Sequence, residues 1–470
     1  MVNFGFVIDN RKCIGCHACT VACKSEHDIP IGVNRTHVKY IEKGQYPDVT
    51  REFSVHRCNH CEDSPCTTIC PTTALFTRED GIVDFDDDRC IGCKSCMQAC
   101  PYDALYIDPN KGTAAKCNYC AHRIEHSYEP ACVIVCPTEA IISGDLEDPN
   151  SSISGYLRDH ETIVRKPESG ARPNVFYVET SEEMLDPHAT ERSGEYLWTD
   201  QAAGVGHFAK YADSRLGAAD TNSMIVQLAL EKKARAANPR DRAIIRDVME
   251  RLDDQAERPK RSYDQPSKGV LWGWEVSAYI ITKAVAAGTY LIAMLAMFAG
   301  LLDMTEELWW QLVIGCTFFL GLTGFLLVKD LDRPERFIYV ILRPNWDSWL
   351  VKGAYILGGF GGILACSGAV LFFDLDLIYL EYLAVAGIPL AVLTGVYTAW
   401  LFGQAKGRNW SEDRLLALKM FVEMVILGVA SLILLTSSEI INWIGAGILI
   451  YAVCRHAHRL VILPQLETLH

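Results

Sequence analysis

Histidine is absent from the most apolar part of this sequence. None of its 13 histidines lies between His207 and His456, a stretch that contains most of the long hydrophobic runs. A low-spin b-type haem inside a membrane needs histidine ligands on facing helices. The sequence therefore predicts that this half binds no haem.

Positive charge is also in short supply. The chain has 44 Lys and Arg against 58 Asp and Glu, a formal net charge of −14. A nucleic-acid partner favours the opposite balance, so none is expected. The beginning, MVNFGFVIDNRKCIGC, has neither an apolar signal core nor paired arginines ahead of one, and we expect no export signal. A disulfide framework, which needs an oxidising compartment, is disfavoured for the same reason.

Motifs for substrate chemistry are missing as well. No phosphate-cradling loop, nucleophile triad or molybdenum-binding domain is apparent in the chain. Chemistry on a substrate is therefore expected on a partner protein.

The chain is instead divided into a polar, cysteine-rich first half and an apolar second half. At 470 residues it is too long for one ordinary domain. We predict a cysteine-rich domain over 1–180, a polar and helical linker region over 181–270, and a membrane domain over 271–470. Cys316, Cys366 and Cys454 lie singly in apolar segments, where cysteine is usually a packing residue.

The other sixteen cysteines form four groups. Their spacings are C-x2-C-x2-C-x3-C at 13–23 and 90–100, C-x2-C-x4-C-x3-C at 58–70, and C-x2-C-x11-C-x3-C at 117–136. Three thiolates of such a group bind one 4Fe–4S cluster, and the fourth ligates a different cluster. Zinc is the alternative, but a zinc site has no use for a third cysteine two residues on. The spacing predicts four 4Fe–4S clusters, with these ligands: Cys13, Cys16, Cys19, Cys23, Cys58, Cys61, Cys66, Cys70, Cys90, Cys93, Cys96, Cys100, Cys117, Cys120, Cys132 and Cys136.

An internal repeat predicts the fold around these groups. FVIDNRKCIGCHAC (6–19) resembles VDFDDDRCIGCKSC (83–96), and CPTTALF, CPYDALY and CPTEAII follow three of the groups. The segments before the first cysteine and after the last cysteine of a group are expected to be short strands. We predict a duplicated ferredoxin-like α+β iron–sulfur domain, followed by an all-α transmembrane helical bundle.

Residues 1–180 resemble the four-cluster electron-transfer subunits of the molybdopterin oxidoreductases, the DMSO-reductase and polysulfide-reductase group. The resemblance implies that the first group shares clusters with the fourth, and the second with the third. The implied ligand sets are Cys13, Cys16, Cys19 and Cys136; Cys117, Cys120, Cys132 and Cys23; Cys58, Cys61, Cys66 and Cys100; and Cys90, Cys93, Cys96 and Cys70. The resemblance also implies a molybdopterin-containing catalytic partner subunit.

Six apolar spans follow, near 274–301, 308–328, 350–373, 377–403, 414–436 and 440–455. Most are long enough to cross about 30 Å of hydrocarbon, and the last is marginal. Lysine and arginine concentrate before the first span, in the second and fourth connections and in the tail, whereas DMTEE, DLDLIYLE and SSEIIN have none. The positive-inside rule makes the basic side cytoplasmic. We predict a multi-pass protein of the cell inner membrane, with its cysteine-rich domain on the cytoplasmic side.

Ionisable residues within these spans indicate more than an anchor. Lys283, Tyr397 and Glu423 lie at comparable depth from the basic side, and Lys283 and Glu423 are interpreted as a pair. The alternative is that the Lys283 side chain extends to the membrane surface. Glu275, Tyr279 and Lys283 are four residues apart and share one helix face. A quinone needs donors such as Lys and Tyr, and a route for protons. We predict that these residues serve membrane quinone or quinol, either menaquinone or ubiquinone.

GWEVSAYIITKAVAAG (273–288), LVKDLDRPERF (327–337) and YTAWLFGQAKGR (397–408) resemble the NrfD-like membrane subunits of polysulfide reductase and its relatives. Those subunits bind quinone near the iron–sulfur side and contain no haem. The resemblance implies a quinone or cluster-docking surface at Lys283, Tyr279, Asp330, Arg333 and Arg336. Six spans fused to the cluster protein depart from that family, which usually has eight spans in a separate protein.

The sequence therefore predicts an electron-transfer and membrane-anchor subunit that connects a catalytic partner with the quinone pool through four clusters. Two alternatives remain open. The chain could be a passive anchor and relay without a quinone site, and its partner could be a hydrogenase or another redox enzyme.

Overall fold

The computed structural model describes residues 2–44, 48–186, 190–192, 259–264, 268 and 271–436. Strands and short helices make up the described part before residue 265, and long apolar helices make up the part after residue 273. The α+β domain followed by a helical membrane domain is therefore confirmed. The strands are β1 Phe4–Asp9, β2 His37–Lys43, β3 Thr50–His56, β4 Leu75–Thr77, β5 Val83–Phe85, β6 Tyr106–Ile107, β7 Ala114–Ala115, β8 Ile141–Asp145, β9 Thr162–Val164, β10 Val175–Val178, β11 Glu191–Arg192 and β12 Lys260–Tyr263.

The helices of the first part are short, and the first five of them lie next to cysteines. They are α1 Ala18–Glu26, α2 Pro65–Ile69, α3 Ser95–Ala99, α4 Ala121–Ile124, α5 Ala131–Ile134, α6 Ser152–Asp159 and α7 Glu182–Leu185. Each of the first five contains the third or fourth cysteine of a group or directly follows a second one. These five helices therefore position the cysteine side chains, and the strands lie before and after the cysteine groups.

The sequence repeat corresponds to a repeat in strand pairing. β1, before the first cysteine group, pairs antiparallel with β8, after the fourth group. β4, after the second group, pairs antiparallel with β5, before the third group. The predicted strands at both ends of the groups are confirmed, and each pair of groups is joined by its own strand pair.

The shared tetrapeptide Cys-Ile-Gly-Cys has the same backbone in both copies. Gly15 and Gly92 have φ values of 67° and 70°, and His17 and Lys94 have φ values of 60° and 59°. Glycine adopts this left-handed region without the Cβ clash that other residues incur. The two loops therefore bend around their cysteines in the same way.

A second sheet contains a strand from the segment that leads into the first membrane helix. Its order is β11-β12-β2-β3, and β12 pairs antiparallel with β2. The segment 259–264, which the sequence indicates only as linker, is thus partly a strand of the iron–sulfur domain. Residues 193–258 of the predicted helical linker region, and the sixth predicted span, 440–455, lie outside the described residues.

Five helices of the described part are long and apolar enough to cross a membrane. They are α8 Trp274–Phe298, α9 Glu306–Lys329, α11 Trp349–Phe372, α12 Ile378–Gln404 and α13 Leu416–Thr436, with the short α10 Tyr339–Leu342 between α9 and α11. Their bounds agree with the first five predicted spans to within three residues. α8 is the most buried of the five and packs against α9, α12 and α13.

Glycine allows α8 and α13 to cross closely. A Cβ atom on Gly288 would clash with the Met424 carbonyl oxygen and would lie 3.1 Å from the Gly428 Cα. Small residues at such crossings let helix backbones approach within a membrane.

Candidate redox site

The sixteen cysteines come together in four sets of four. Set A is Cys13, Cys16, Cys19 and Cys136, and set B is Cys23, Cys117, Cys120 and Cys132. Set C is Cys58, Cys61, Cys66 and Cys100, and set D is Cys70, Cys90, Cys93 and Cys96. Within each set the sulfur atoms interact electrostatically. These are the sets that the family resemblance implies, and none of the sixteen cysteines forms a disulfide with another described cysteine.

The cysteines of the sets are arranged for a polynuclear cluster rather than for a single ion. All four cysteines of set D line one pocket, and all four cysteines of set A line another. A zinc ion with Zn–S bonds of 2.3 Å draws its sulfur ligands to within about 4 Å of one another. No group of three or more His, Cys, Asp or Glu in the described residues is close enough for a single metal ion. The donor set and its spacing fit 4Fe–4S clusters.

The sets follow one another in a line. Cys19 of set A interacts with Cys132 of set B, and Cys117 of set B with Cys58 of set C. Cys66 of set C interacts with both Cys70 and Cys96 of set D. The four sets therefore follow one another in the order A, B, C, D.

The two ends of this line differ in their surroundings. At set A, Cys16 is exposed, and the nearby apolar side chains are open to solvent: Ile14, Val21, Ile134 and Val135. At set D, the Asn345 side-chain amide donates to the Cys70 carbonyl oxygen (2.7 Å), and Arg336 Nη1 donates to the Cys90 carbonyl oxygen (3.1 Å). Set D is therefore the membrane end.

Burial acts against free thiolates in these sets. It raises the pKa of the Cys93 and Cys120 thiols to about 12, and that of the Cys66 and Cys96 thiols still further. A thiolate is therefore favoured here only beside a cation such as cluster iron.

Hydrogen bonds reach several sulfur atoms directly. Arg57 Nη1 donates to Cys132 Sγ (3.1 Å), and the backbone N–H groups of Ala114 and Ala140 donate to Cys90 Sγ (3.3 Å) and Cys136 Sγ (3.2 Å). His27 Nε2 lies 3.2 Å from Cys120 Sγ, and burial lowers the pKa of His27 to about 4. Hydrogen bonds to the sulfur atoms are one of the factors that set cluster potentials.

Sequence reasoning missed the buried cations at this site. Each group begins directly after a basic residue, namely Lys12, Arg57, Arg89 and Lys116. Only Arg57 and Lys116 are buried, at 1% and 0% exposure. The signal in the sequence was that a basic residue directly precedes each group. The sequence does not show, however, that Arg57 and Lys116 are buried while Lys12 and Arg89 are not.

The membrane half has its own buried basic side chain. Lys283 on α8 is fully buried, and its Nζ donates to the Gly395 carbonyl oxygen (3.2 Å) and to Thr398 Oγ1, both on α12. The same Nζ lies 4.2 Å from the centre of the Tyr397 ring. The absence of a side chain at Gly353 leaves room for that ring. Lys283 is therefore held inside the bundle and does not extend to the surface.

The expected pair of Lys283 and Glu423 is wrong. The described residues contain no ion pair between these two side chains, because Lys283 points toward α12 while Glu423 is half-buried on α13. Equal depth along two helices does not fix the direction in which their side chains point.

Tyr279, Asp330 and Glu275 lie between Lys283 and set D. Tyr279 is buried in one apolar cluster with Cys70, Cys96 and Trp272, and it interacts electrostatically with Tyr397 and Asp330. Burial raises the pKa of Asp330, the residue that follows α9, to about 7, although Lys94 acts in the opposite direction. Glu275 Oε1 lies 3.5 Å from Lys329 Nζ.

Arg333 and Arg336 dock the two halves together. Arg333 Nε donates to the Lys111 carbonyl oxygen, and Arg336 Nη1 to the Asp87 carbonyl oxygen, both at 2.6 Å. These arginines belong to the docking surface and are not beside Lys283.

Comparison with known proteins agrees with this geometry. Residues 49–146 match the model of the 4Fe-4S dicluster domain, and residues 264–441 match the model "Polysulphide reductase, NrfD". The chain is 42% identical to a tetrathionate reductase subunit of Salmonella typhimurium over 201 residues, 42% of this chain and 80% of the relative. It is 44% identical to a polysulfide reductase chain of Wolinella succinogenes over 178 residues, 37% of this chain and 93% of the relative.

This chain is a member of the family of reductase iron–sulfur subunits, fused to an NrfD domain. Protein NrfC of Escherichia coli K12 is a further relative, 42% identical over 180 residues, 38% of this chain and 81% of the relative. These relatives match the iron–sulfur part, and the NrfD model covers the membrane part. The FeS–NrfD chain is thus an electron-transfer iron–sulfur subunit and an integral membrane protein.

Proposed function

We propose that the chain relays electrons through four 4Fe–4S clusters, one in each of sets A to D, between a molybdopterin-containing catalytic subunit and membrane quinone. The observation that carries the proposal is the unbroken line of four cysteine sets from exposed Cys16 to the membrane contacts of Cys70 and Cys90. When bound, the clusters supply one-electron transfer, and the protein holds them in sequence.

The quinone end is assigned to the space around Tyr279, Lys283 and Tyr397. Lys283 is a buried basic side chain whose described partners are a carbonyl, a hydroxyl and an aromatic ring rather than a carboxylate. Ionisable groups within a membrane bundle are costly and usually functional. The ammonium group would donate a hydrogen bond to a quinone oxygen, and this interaction strengthens as negative charge develops on that oxygen.

Proximity to the last cluster supports this assignment. The apolar cluster that contains Tyr279 also contains Cys70 and Cys96 of set D. The Trp272 ring, stacked 5.7 Å from that of Phe402, packs in the same cluster. Protons would enter from the docking side through Asp330 and Glu275, which lie where α9 ends and α8 begins.

The catalytic subunit is assigned to set A, at the opposite end. Around exposed Cys16, the side chains of Ile14, Val21 and Ile134 are 57%, 64% and 55% exposed. Apolar side chains grouped at a surface mark interaction sites. Relatives named as subunits of tetrathionate and polysulfide reductases support a reductase partner. The molybdopterin of that partner is implied by the family resemblance.

We place the iron–sulfur domain on the cytoplasmic side of the inner membrane. The basic connections between spans support this side by the positive-inside rule. Several basic residues on this side also bond the iron–sulfur domain, since Lys268 pairs with Asp103 (2.7 Å) and Lys406 donates to the Ser169 carbonyl oxygen (3.2 Å). Lys329, Arg343 and Lys352 have no such bond among the described residues, and they support the same orientation.

The test uses the purified chain in detergent, with its clusters chemically reduced under anaerobic conditions. A soluble menaquinone analogue is added, and cluster oxidation is followed by EPR. We expect rapid oxidation that slows about 10²-fold in Lys283→Met, the effect typical of removing one preorganised donor.

Lys352→Met is the matched control, because Lys352 lies near the basic end of α11, over the Trp349 ring at 4.7 Å. It should oxidise at the wild-type rate. If intact clusters are not oxidised by the quinone, the membrane half is a passive anchor and the quinone assignment fails.

A further inference from the structure

Arg57 occupies an unusual electrostatic position between sets A and B. Its side chain is 1% exposed, and its guanidinium carbon lies 4.4 Å from the centre of the Phe6 ring. Nη1 donates to Cys132 Sγ of set B, and the charge also interacts with Cys117 of set B and Cys19 of set A. One side chain therefore reaches two cysteine sets.

No carboxylate balances this charge. Within the described part of the chain, Arg57 forms no ion pair, and its Nε and Nη2 atoms have no hydrogen-bond partner. A guanidinium stays protonated in a protein, and burying an unpaired charge is costly. The negative charge that stabilises Arg57 must therefore come from the cysteine sets.

We propose that Arg57 is a counter-ion shared by the clusters of sets A and B, and that it raises the reduction potential of both. Reduction adds one negative charge to a cluster, and a fixed cation nearby stabilises the reduced form more than the oxidised form. The same cation weakens the repulsion between electrons on the two neighbouring clusters. This inference rests on the proposed four clusters.

Lys116 provides a comparison at the next boundary. It is fully buried, and its Nζ donates to the carbonyl oxygens of Val83 and of Cys117 (2.9 Å). Its charge acts on Cys58 and Cys66 of set C, and it is adjacent in sequence to Cys117 of set B. Arg57 and Lys116 should therefore affect overlapping pairs of clusters, with set B common to both.

The chain also offers one control residue, Arg89, for both Arg57 and Lys116. Arg89 directly precedes Cys90, but its side chain is 43% exposed and paired with Asp86 (3.0 Å). Solvent and the paired carboxylate screen its charge. Removing it should leave all four potentials unchanged.

The experiment is a potentiometric EPR titration of the full chain in detergent, after iron and sulfide content have been measured. In Arg57→Met, we expect two of the four midpoint potentials to fall. At a fixed ambient potential, the reduced-to-oxidised ratio of those two clusters should fall about tenfold, equivalent to 59 mV for one electron. Arg89→Met should match the wild type, and Lys116→Met should shift two potentials, only one of which responds to Arg57→Met.

Two conservative variants separate charge from structure. Arg57→Lys keeps the charge, so the midpoint potentials of both clusters should stay close to those of the wild type. Arg57→Gln keeps a hydrogen-bond donor without the charge, so both potentials should fall as in Arg57→Met. If Arg57→Met binds less iron than the wild type, the test rests on comparing the midpoint potentials of Arg57→Lys and Arg57→Gln. Unchanged potentials in Arg57→Gln, or equal shifts for Lys and Gln, would overturn the proposal. Fewer than four clusters in the wild type would instead reject the four-cluster assignment.

Discussion

The indole Nε1 of Trp272 donates a hydrogen bond to the carbonyl oxygen of Cys93, with 3.2 Å between the two atoms. Trp272 lies two residues before α8 begins, and its ring stacks on those of Phe402 and Trp410, at 5.7 and 6.1 Å. The start of the first membrane helix is thus bonded to the backbone of a set D cysteine. Set D and the membrane helices are one packed unit, and changes at their junction should affect both.

Asn345 tests this junction. Asn345→Ala removes the donor to the carbonyl oxygens of Cys70 (2.7 Å) and Thr67 (3.2 Å). Leaving such acceptors without a donor should lower the free energy of unfolding by about 1–3 kcal/mol. The measurement is thermal unfolding in detergent, followed by loss of cluster absorbance. Asn150→Ala, at an exposed loop position, is the control and should unfold like the wild type.

Cysteine replacement tests the number of clusters. Cys58→Ser removes a thiol from set C, and the iron content should fall by about a quarter if each set holds one cluster. Cys366→Ser, at an exposed lone cysteine on α11, should retain all the iron. Iron and sulfide analysis with EPR spin counting is the measurement. A full iron complement in Cys58→Ser would contradict the assignment of set C.

The pH dependence of quinone reduction tests Asp330. Burial raises its pKa to about 7, and the charges that influence it are those of Lys94, Glu275 and Asp332. Below pH 7 the carboxyl group is protonated and can deliver a proton, so the wild-type rate should fall as pH rises through about 7. Asp330→Asn should be slow at every pH. Stopped-flow cluster oxidation between pH 5.5 and 8.5 measures both profiles, and a flat wild-type profile would exclude Asp330 as the proton donor.

The same titration has a consequence for stability. Because the folded pKa of Asp330 lies above its unfolded value, its contribution to stability is full below about pH 4 and is lost as pH rises through about 7. The side chain in Asp330→Asn cannot ionise. The free energy of unfolding of this variant should therefore exceed that of the wild type only when the pH is raised. Denaturation at pH 4.5 and pH 8 provides the comparison.

Gly288 tests the packing of the bundle. Gly288→Ala places a methyl group in steric conflict with the Met424 carbonyl oxygen, so α8 and α13 must separate. Overpacking of this kind costs about 1–3 kcal/mol, and the melting temperature should fall by about 2–4 °C for each kcal/mol. Gly315→Ala on α9 has no heavy atom within 4 Å of the added carbon and should be neutral or slightly stabilising.

Much of this structure could be predicted from local sequence patterns. Cysteine spacing and the repeated motif predicted a strand before the cysteine groups and a strand after three of them, and hydropathy predicted five membrane spans to within three residues. Both signals depend on residues close together in the chain. Polar side chains at the docking surface, such as Arg333 and Arg336, came from the family resemblance.

Features that depend on three-dimensional direction could not be predicted. Helices surrounded by lipid and by one another are apolar on all sides, so the sequence does not show that Lys283 points toward Thr398 rather than Glu423. The burial of Arg57, in contrast with Arg89, depends on packing against Phe6 from β1. The four-residue strand Lys260–Tyr263 has no distinctive alternation, and its pairing with β2 joins segments about two hundred residues apart.

That long-range pairing has a consequence during synthesis. β2 and β3 are synthesised roughly two hundred residues before β12. At 5–20 residues per second, the delay is roughly 10–40 s. Over that interval the nascent chain presents the β2 edge without the strand that covers it in the finished sheet, and open edges invite pairing with other chains. The sheet is completed only as α8, the first membrane helix, is about to be made. The last strand of this sheet and the first membrane helix are thus made one shortly after the other.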